Sequence, residues 1–393
     1  MTVGADAGRN SDMSDSDKRA SRYAAGRSYG GPGKYVQQAG ELGRLAAHLR
    51  PLGRSAFLLI DGFVRDTIGE ALLAPLRAAG IAFAEARFGG ECCTAEVERV
   101  TGLARDAAAD VVVGIGGGKT ADAAKLAAMA VGARLAIAPT IASTDAPCSA
   151  IAVRYTEAGV YQESHFLARN PDVVVVDSAV IVRAPARFLV AGIGDALSTW
   201  FEARSNLDSR TSNLITPARL APTAAGVAIA KACHDILMRD ALAAKIAADH
   251  GALTPAVEAI VEANTLLSGL GFENCGVSAA HGIHDGLTVL DATHHLLHGE
   301  KVAFGVLCLL MLEGRPLTEI EATARFCRAL GLPTTLDDLG IGGIGTSELD
   351  RVAAAALLPG SATYNVAVPL SVAIVRDAIV ALDAFTRSAL GAA

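Results

Sequence analysis

Charged residues are scarce in this chain of 393 residues, since Asp, Glu, Lys and Arg together make up only 19 % of it. The 34 Lys and Arg are outnumbered by 41 Asp and Glu, which gives a formal net charge of −7, and the basic residues form no dense stripe. A nucleic-acid surface needs clustered positive charge that displaces counterions from the phosphates. We therefore expect no nucleic-acid partner.

Long hydrophobic runs are also missing, although 51 % of the residues are hydrophobic. The longest stretch without a charged residue, Val352–Val375, is interrupted by Pro359, Gly360 and Pro369. Shorter runs such as Val302–Leu312 cannot span the ~30 Å hydrocarbon core of a bilayer. No apolar segment near the start has the character of a secretory signal. We expect a protein with no membrane partner.

Cysteine and aromatic residues are few. The seven Cys include no CxxC pair, and only Cys92 and Cys93 are close in sequence, so a reduced, cytoplasmic protein is the simpler interpretation. Aromatic residues make up 5 % of the chain while Gly contributes 40 residues, so the apolar content is mostly small and aliphatic. That composition suits tightly packed α/β layers, and the length predicts two domains.

The order of apolar runs predicts an α/β domain followed by a helical one. Residues 1–22 are polar and poor in large apolar side chains, which predicts a disordered tail. From residue 55 onward, short β-rich runs alternate with helical stretches, which is typical of βαβ units and a mostly parallel sheet. The predicted strands are 56–60, 81–88, 111–115, 135–139 and 173–177, with a hairpin formed by 149–155 and 160–167.

The pattern changes at Pro185, which suits the first turn of a helix running through Gly192–Arg204. From there the sequence is helical almost to its end. We therefore predict an α/β domain over residues 23–183 and an all-helical domain over residues 184–393.

A glycine-rich turn, Gly116-Gly117-Gly118, joins the predicted strand 111–115 to a helix that starts at Lys119. Without Cβ atoms, the backbone N–H groups of such a turn can approach a pyrophosphate, and the helix start adds partial positive charge. The pattern is neither GxGxxG nor a P-loop. A tight turn that binds no ligand is therefore the alternative interpretation.

Asp61 ends the predicted strand 56–60, at the carboxyl edge where open α/β sheets bind ligands. A carboxylate there can accept hydrogen bonds from both ribose hydroxyls of adenosine. It would also repel a 2′-phosphate, which favours NAD over NADP. The alternative is a solvated Asp in a turn.

A loop rich in hydroxyl groups runs from Pro139 to Pro147 and contains Thr140, Ser143 and Asp145. Loops at the carboxyl ends of strands often carry chemistry. These hydroxyls can bond a phosphate or a carboxamide, and Asp145 can bond a polyol hydroxyl. A turn whose hydroxyls satisfy its own backbone is the alternative.

Five of the nine histidines fall within residues 281–298, which predicts a metal site because neutral imidazole is the commonest metal ligand. His281 and His298 are far enough apart to lie on two helices that face one cleft. His284, one turn after His281, can act beside them. The His294-His295 pair fits a solvated connecting loop.

Asp195 is the best candidate for a third ligand, because a carboxylate in the apolar segment VAGIGDALSTWFEA is expensive unless it is paired or binds a metal. Together with His281 and His298 it would form a site with an open position, as in catalytic zinc centres. No Lys or Arg lies between Asn264 and Glu300. A phosphorylated substrate would want such a cation, so a neutral alcohol or polyol is favoured.

From about Gly31 onward the chain resembles the glycerol dehydrogenases of the iron-type (group III) alcohol dehydrogenase superfamily. The resemblance implies a dinucleotide-binding α/β domain and a helical metal-binding domain, the fold shared with dehydroquinate synthase. Its landmarks are GGGKTADAAK (116–125), PTIASTDAPCSAIAVRYTEAG (139–159), GIGDALSTWFEA (192–203), AAHGIHDGLT (279–288) and HHLLHGEKVAFG (294–305).

The resemblance also implies roles for individual residues. Asp195, His281 and His298 would hold zinc, and Asp145 would contact the substrate diol. In the wider group a His follows the ligand Asp by one helical turn; here that position is Thr199, as in the zinc-dependent polyol branch. NAD would lie against Asp61, Gly116, Gly117, Gly118, Lys119, Thr140, Ser143, Ser149, Ile151 and Tyr155.

The implied reaction is the NAD-dependent oxidation of glycerol to dihydroxyacetone, or of a related vicinal diol, by a cytoplasmic homo-oligomer, an octamer by resemblance. Another diol or alcohol dehydrogenase of the superfamily, or a non-catalytic NAD-binding protein, are the alternatives. The complete Asp/His/His set argues against the latter. Members that act on phosphorylated substrates, 3-dehydroquinate synthase and glycerol-1-phosphate dehydrogenase, are disfavoured by the missing Lys and Arg.

Overall fold

The computed structural model describes residues 24–215 and 220–391. The tail predicted over residues 1–22 lies outside them. A parallel sheet of six strands forms the centre of the first half of this described part, in the spatial order β2-β9-β6-β5-β3-β4. The strands are β2 (Tyr35–Gln37), β3 (Ser55–Ile60), β4 (Ala82–Arg87), β5 (Val111–Gly116), β6 (Arg134–Pro139) and β9 (Val173–Val176).

The parallel sheet confirms the predicted fold class. Four of its five connections contain α-helices, because parallel neighbours need long connections, and the fifth, from β6 to β9, carries a hairpin instead. These helices are α1 (Leu45–Leu49), α2 (Gly62–Ala78), α3 (Thr94–Asp106) and α4 (Gly118–Val131). The sequence predicted every strand of the sheet except β2, which has only three residues and lies at the edge beside β9.

Two small sheets accompany the large one. The predicted hairpin is present as the antiparallel pair β7 (Ile151–Tyr155) and β8 (Tyr161–Phe166). The other pair is parallel and joins β1 (Ala24–Arg27) to β10 (Leu220–Ala221). The sequence predicted an all-helical second part, and the two-residue strand β10 is the exception among the described residues from 184 onward, because it pairs with β1.

Helices form the remaining regular structure of the described residues, and loops connect them. The predicted helix through Gly192–Arg204 is longer at both ends, and Pro185 directly precedes its first residue. The division of domains between residues 183 and 184 stays a prediction. The helices are α5 (Ser178–Ile181), α6 (Ala186–Ser209), α7 (Ala224–Asp249), α8 (Pro255–Glu262), α9 (Ser268–Cys275), α10 (Ala279–Leu287), α11 (His298–Leu312), α12 (Leu317–Leu330), α13 (Thr346–Ala356) and α14 (Val372–Leu390).

Alternation along the central strands divides the apolar side chains between two cores. Leu58 and Val113 belong to one core, which also includes α1 and α2. Phe57 and Val112 belong to the other, which continues into the helices from α6 onward. The central strands are thus buried on both faces, and the second core joins them to the helical part that carries the predicted metal ligands.

Within the described ranges, no helix combines the length and the apolarity that crossing a membrane requires. All seven cysteines are buried, and none forms a disulfide.

Candidate active site

The glycine turn lies at the carboxyl edge of the sheet, between β5 and α4, and its surroundings leave no room for side chains. A Cβ atom on Gly116 would lie 2.6 Å from Thr120 Oγ1 and 2.9 Å from Asp61 Cβ. One on Gly118 would lie 2.9 Å from Thr144 Oγ1. Gly117, the residue before the helix, brings no side chain to cap its N–H groups. The start of α4 can therefore receive an anion.

Asp61 lies next to this turn and begins the following helix. Its Oδ1 accepts hydrogen bonds from the backbone N–H groups of Phe63 (3.0 Å) and Val64 (3.3 Å). The carboxylate thus caps the N-terminus of α2. This structural role is compatible with the alternative interpretation, in which Asp61 is an Asp in a turn that binds no ligand. Both bonds use the same oxygen, and the side chain remains half-buried at the sheet edge.

Lys119 and Tyr155, both predicted to contact NAD, are brought together beside the glycine turn. The ammonium group of Lys119 lies 5.3 Å from the centre of the Tyr155 ring and 2.5 Å from Glu91 Oε2. Lys119 is half exposed, whereas Glu91 is mostly buried. This ion pair connects the loop after β4 to the first turn of α4.

The hydroxyl-rich loop packs against the same turn. The backbone N–H of Thr140 donates to Gly116 O at 3.0 Å, and the side chains of Thr140 and Ser143 are largely buried. The loop after β6 and the turn after β5 therefore form one continuous edge, as expected for neighbouring parallel strands.

Ser149 and Ile151 are held by Lys125, a fully buried residue that the sequence did not single out. Lys125 Nζ donates to Ile151 O (2.5 Å), Ala146 O (2.7 Å) and Ser149 Oγ (3.3 Å) and forms an ion pair with Asp122 (3.1 Å). Burial raises the pKa of the Asp122 carboxyl, although Lys125 opposes this. The available signal was the spacing of Asp122 and Lys125, three residues apart on one face of α4.

Asp195, His281 and His298 meet in one place although they come from three helices, α6, α10 and α11. Each offers one ligand atom, and these atoms all lie within 4.8 Å of one another. Asp195 Oδ1 is 3.2 Å from His298 Nε2 and 3.6 Å from His281 Nε2. Among the described residues, this buried oxygen accepts no hydrogen bond. Such an orphaned oxygen beside two imidazoles fits a metal ion.

Glycines let the helices approach closely enough for this meeting. A Cβ on Gly299 would lie 1.8 Å from Ala191 O, and one on Gly194 would lie 2.3 Å from Gly299 O. Because both positions lack side chains, the start of α11 contacts the backbone of α6. His298 and Asp195, the neighbours of these glycines in sequence, therefore share one site.

The electrostatics of the site are dominated by burial and by close charges. Burial disfavours the ionised form of Asp195, but His298 and His281 hold its pKa well below the usual range. Burial also disfavours the charged form of His281, yet Glu202 and Asp195 raise its pKa well above the usual value. For Asp145, burial and the nearby Asp195 both raise the pKa. The buried carboxyl groups of Asp195, Glu202 and Asp145 thus lie close together, where a cation would be stabilised.

Asp145, the residue predicted to contact the substrate, lies directly beside Asp195, one of the candidate metal ligands. Its backbone N–H donates to Asp195 Oδ2 at 3.1 Å, and its Oδ2 accepts from Ser268 Oγ at 2.8 Å. Ser268 Oγ is in turn 2.8 Å from Thr199 Oγ1. Thr199 is therefore engaged with Ser268, at the position where the wider group carries a His.

The histidines between 281 and 298 separate into two sets. His284 is buried, and its Nε2 lies 3.0 Å from Nδ1 of His298, one of the predicted ligands. His294 and His295 lie in the connecting stretch and bond the backbone carbonyls of Thr288 and Ala292. The metal-ligand cluster found within the described residues does not include this pair.

Glu202 is a residue of this site that the sequence analysis missed. Its carboxylate is completely buried and lies 2.7 Å from His281 Nδ1. It follows Asp195 by seven residues, two turns along α6. That spacing placed it on the same helix face, and this was the signal that could have identified it.

Comparison with known proteins assigns the family. Residues 32–178 match the family described as iron-containing alcohol dehydrogenase. A glycerol dehydrogenase from Thermotoga maritima is 46 % identical over 362 residues, which cover 91 % of this chain and 96 % of the relative. The chain belongs to the iron-containing alcohol dehydrogenase family. It is thus an oxidoreductase acting on CH–OH groups, and the predicted family and enzyme class are confirmed.

Within this family the chain is similar to glycerol dehydrogenases in sequence and in structure. The crystal structure of a probable glycerol dehydrogenase from Sinorhizobium meliloti 1021 is 62 % identical, with a TM-score of 0.88 and coverage of 92 % of this chain and 99 % of that one. A glycolaldehyde reductase from Halobacterium salinarum is 40 % identical over 356 residues, covering 91 % of this chain and 97 % of the relative. Two kinds of small hydroxylated substrate therefore occur among close relatives.

Proposed function

We propose that this protein oxidises glycerol, or a related vicinal diol, to the corresponding hydroxyketone with NAD as the oxidant and zinc as the metal. The observation that carries the proposal is the buried Asp195 Oδ1, which accepts no hydrogen bond within the described part of the chain and lies within 3.6 Å of two imidazole Nε2 atoms and beside Asp145. The similarity to glycerol dehydrogenases over nine-tenths of the chain supports the choice of substrate.

Asp195, His281 and His298 are the residues that would hold the zinc ion. One oxygen and two nitrogen donors with a further position open are typical of catalytic zinc. Thr199 bonds Ser268 and so brings no fourth protein ligand, which leaves open the coordination position that a catalytic zinc keeps for water or substrate. When bound, zinc would lower the pKa of a substrate hydroxyl, and NAD would accept the hydride from carbon.

The nucleotide would be held along the carboxyl edge of the sheet. The start of α4 at Gly118 would receive the pyrophosphate, and Asp61 would accept hydrogen bonds from the adenosine ribose. Thr140, Ser143 and Tyr155 would complete the contacts predicted from the sequence, together with Gly116, Gly117, Lys119, Ser149 and Ile151.

We propose a neutral substrate because Lys125, a cation that bonds the loop of Asp145 through Ala146 O, is already engaged. Lys125 is fully buried and is bonded to Asp122, Ser149 and two backbone carbonyls, so it does not serve a substrate phosphate. Asp145 would bond a second hydroxyl of the diol while its backbone N–H holds Asp195 in place.

We also propose that the protein is a cytoplasmic homo-oligomer, and by resemblance an octamer. Seven buried, unpaired cysteines suit a reducing compartment. The exposed apolar residues Met238, Leu242 and Ile246 recur every four residues on α7 and offer an apolar face for a second copy. Light scattering coupled to size-exclusion chromatography tests the assembly, and a monomeric mass would contradict it.

The decisive experiment measures turnover and metal content together. Purified protein is stripped with a chelator and reloaded with Zn²⁺ or Fe²⁺, and NADH formation is followed with glycerol, 1,2-propanediol and 2,3-butanediol. The reduction of glycolaldehyde with NADH tests the alternative that this protein is a glycolaldehyde reductase, like the relative from Halobacterium salinarum. We expect the highest kcat/KM for a vicinal diol with the zinc-loaded protein. A clear preference for glycolaldehyde, or full activity without metal, would refute the proposal.

Paired histidine variants provide the control. His281→Ala should lose bound metal. Its kcat should fall by more than the roughly 10–100-fold loss that follows when a residue that only supports a metal ligand is replaced. His294→Ala, in the connecting stretch, should retain the bound metal and the wild-type kcat. A His281→Ala enzyme with near wild-type kcat would show that the ligand assignment is wrong.

A further inference from the structure

His281 and His298, the two candidate metal-binding histidines, direct Nε2 toward Asp195. Through Nδ1, each is hydrogen-bonded to a chain of acceptors that ends in a carboxylate. We propose that Glu202 and the His284–Asp285 pair are positioning residues that determine which nitrogen of His281 and of His298 is presented to the metal. This inference deepens the proposed function and rests on it.

Glu202 controls His281 because both of its oxygens are already assigned. Oε1 accepts the backbone N–H groups of Ser278 (2.8 Å) and His281 (3.0 Å) at the start of α10. Oε2 lies 2.7 Å from His281 Nδ1 and, as part of a carboxylate, can only accept. The proton of the neutral ring therefore resides on Nδ1. Nε2, which is directed at Asp195, keeps the lone pair that a metal needs.

His298 is controlled through one intermediate ring. Asp285 Oδ1 lies 3.0 Å from His284 Nδ1, and His284 Nε2 lies 3.0 Å from His298 Nδ1. Because the carboxylate accepts from His284 Nδ1–H, His284 Nε2 becomes an acceptor, and His298 Nδ1 must donate to it. His298 Nε2, 3.2 Å from Asp195 Oδ1, is again left with its lone pair. The rings of His284 and His298 are in edge contact, with centroids 4.2 Å apart.

The hydrogen-bonded chain from Glu202 to His281 forms a first arm, and the chain from Asp285 through His284 to His298 forms a second arm. The two arms differ in burial, so we expect them to affect metal affinity unequally. Glu202 is completely buried, whereas the side chain of Asp285 is 37 % exposed. Water can replace an exposed acceptor but cannot reach a buried one. Two fully buried carboxylates, Asp195 and Glu202, also match the charge of one divalent cation. We therefore expect the Glu202 arm to contribute more to metal affinity.

Glu202→Gln tests the first arm with almost no change in shape. The amide oxygen of Gln is required by the N–H groups of Ser278 and His281, so its NH₂ group faces His281 Nδ1. The ring must then accept at Nδ1 and carry its proton on Nε2, where it blocks the metal. We expect the dissociation constants for Zn²⁺ and Co²⁺, measured by chelator competition, to rise about 10–100-fold.

Glu273→Gln is the matched control. Glu273 is also almost fully buried, and it accepts from the Ala150 N–H and from Asn170 instead of from a ligand histidine. Its metal dissociation constants should stay within about twofold of wild type. The melting temperatures of both metal-free variants separate lost metal affinity from lost folding, and the visible spectrum of the Co²⁺-loaded proteins reports the ligand set directly.

The second arm is tested by Asp285→Asn against Asp285→Ala. Asn can turn its amide oxygen toward His284 Nδ1 and so preserve the direction of the hydrogen bonds, whereas Ala removes the acceptor. We expect metal affinity close to wild type for Asn, and a loss for Ala that is smaller than the loss for Glu202→Gln. Equal affinities in the Asn and Ala variants would exclude the role of Asp285.

The outcomes distinguish this inference from the function on which it rests. A wild-type protein that binds neither Zn²⁺ nor Co²⁺ refutes the proposed function and the inference with it. A wild-type protein that binds metal, together with a folded Glu202→Gln variant of equal affinity and an unchanged Co²⁺ spectrum, refutes the inference alone.

Discussion

Asp61 combines a structural role with a proposed role in cofactor choice, and the two can be separated by one substitution. Its Oδ1 caps α2 through Phe63 and Val64. Ser is an equally good cap but carries no charge. Arg87 lies close by, since its Nη1 is 3.6 Å from the place of a Cβ on Gly62. Replacing Asp61 therefore removes the repulsion toward a 2′-phosphate and leaves a guanidinium near it.

Asp61→Ser should shift binding from NAD toward NADP while leaving folding unchanged. Two charges 4 Å apart interact by about 1 kcal/mol in water and by more near a protein surface. We therefore expect the ratio of the dissociation constants for NADP and NAD to fall at least about tenfold, as measured by fluorescence titration.

Asp110→Ser is the matched control for this change. Asp110 bonds the N–H groups of Arg54 and Ser55 at the opposite end of β3. Its replacement should leave the ratio as it is. An unchanged ratio in Asp61→Ser would place the adenosine ribose elsewhere.

At the scale of elements, the contact between α6 and α11 brings together Asp195 and His298, two of the three candidate metal ligands. The start of α11 lies against the backbone of α6 because Gly194 and Gly299 have no side chains. A methyl group on Gly299 would lie 1.8 Å from Ala191 O, so the two helices would have to separate. His298, which precedes Gly299, would then move away from Asp195.

Gly299→Ala should therefore destabilise the protein although Ala is the better helix former. Overpacking typically costs about 1–3 kcal/mol, which exceeds the ~1 kcal/mol that Ala gains over Gly within a helix. We expect a lower free energy of unfolding in urea together with weaker binding of Zn²⁺.

Gly102→Ala in α3 is the comparison, since its added Cβ would have no described atom within 4 Å beyond its chain neighbours and the backbone of its own helix. It should raise the free energy of unfolding by about 0.5–1 kcal/mol. If Gly299→Ala were also stabilising and bound zinc normally, the close helix contact would not be needed for the site.

The sequence predicted elements wherever the local pattern is strong. Val111–Gly116 is an apolar run of ordinary strand length followed by glycines, and Ala186–Ser209 is long and helical, so both were expected. Tyr35–Gln37 and Leu220–Ala221 are too short to show a period, and their partners are distant in sequence. Such strands exist because of tertiary pairing, which a local pattern does not contain.

The candidate site shows the same division. Asp195, His281 and His298 could be found from residue type and context alone, and the structure brings them together. Glu202 was missed, because a Glu on a helix is ordinarily solvated and its spacing of seven residues from Asp195 does not by itself show that it is buried. Its meaning depends on α10, whose first N–H groups and His281 lie against it. Lys125 was missed for the same reason, since its partners belong to a loop more than twenty residues away.

At the scale of the whole molecule, the site connects helices that are far apart in the chain. Asp195 lies in the middle of α6, and His281 and His298 lie on α10 and at the start of α11. The strands β3 and β5 contribute no ligand to this cluster. A bound metal would thus join the helices to one another without joining them to the sheet.

Removing the metal should therefore loosen the helices locally. Binding to the native state alone stabilises it by about 2.7 kcal/mol at a metal concentration one hundred times the dissociation constant. Without that contribution the buried carboxylates of Asp195 and Glu202 face each other's charge across His281. We expect faster amide hydrogen exchange in α10 and in the first turns of α11 after treatment with a chelator, and unchanged exchange in β3 and β5, because local openings reflect local stability.

The His281→Ala variant makes this prediction specific to the proposed ligands. With one imidazole removed, its exchange pattern should be the same with and without added Zn²⁺. A metal-dependent difference that persists in this variant would show that zinc stabilises the protein from another place. A loss of protection spread equally over β3, β5 and the helices of the wild type would contradict the local effect, since it would mean that the metal holds the sheet and the helices in one cooperative unit.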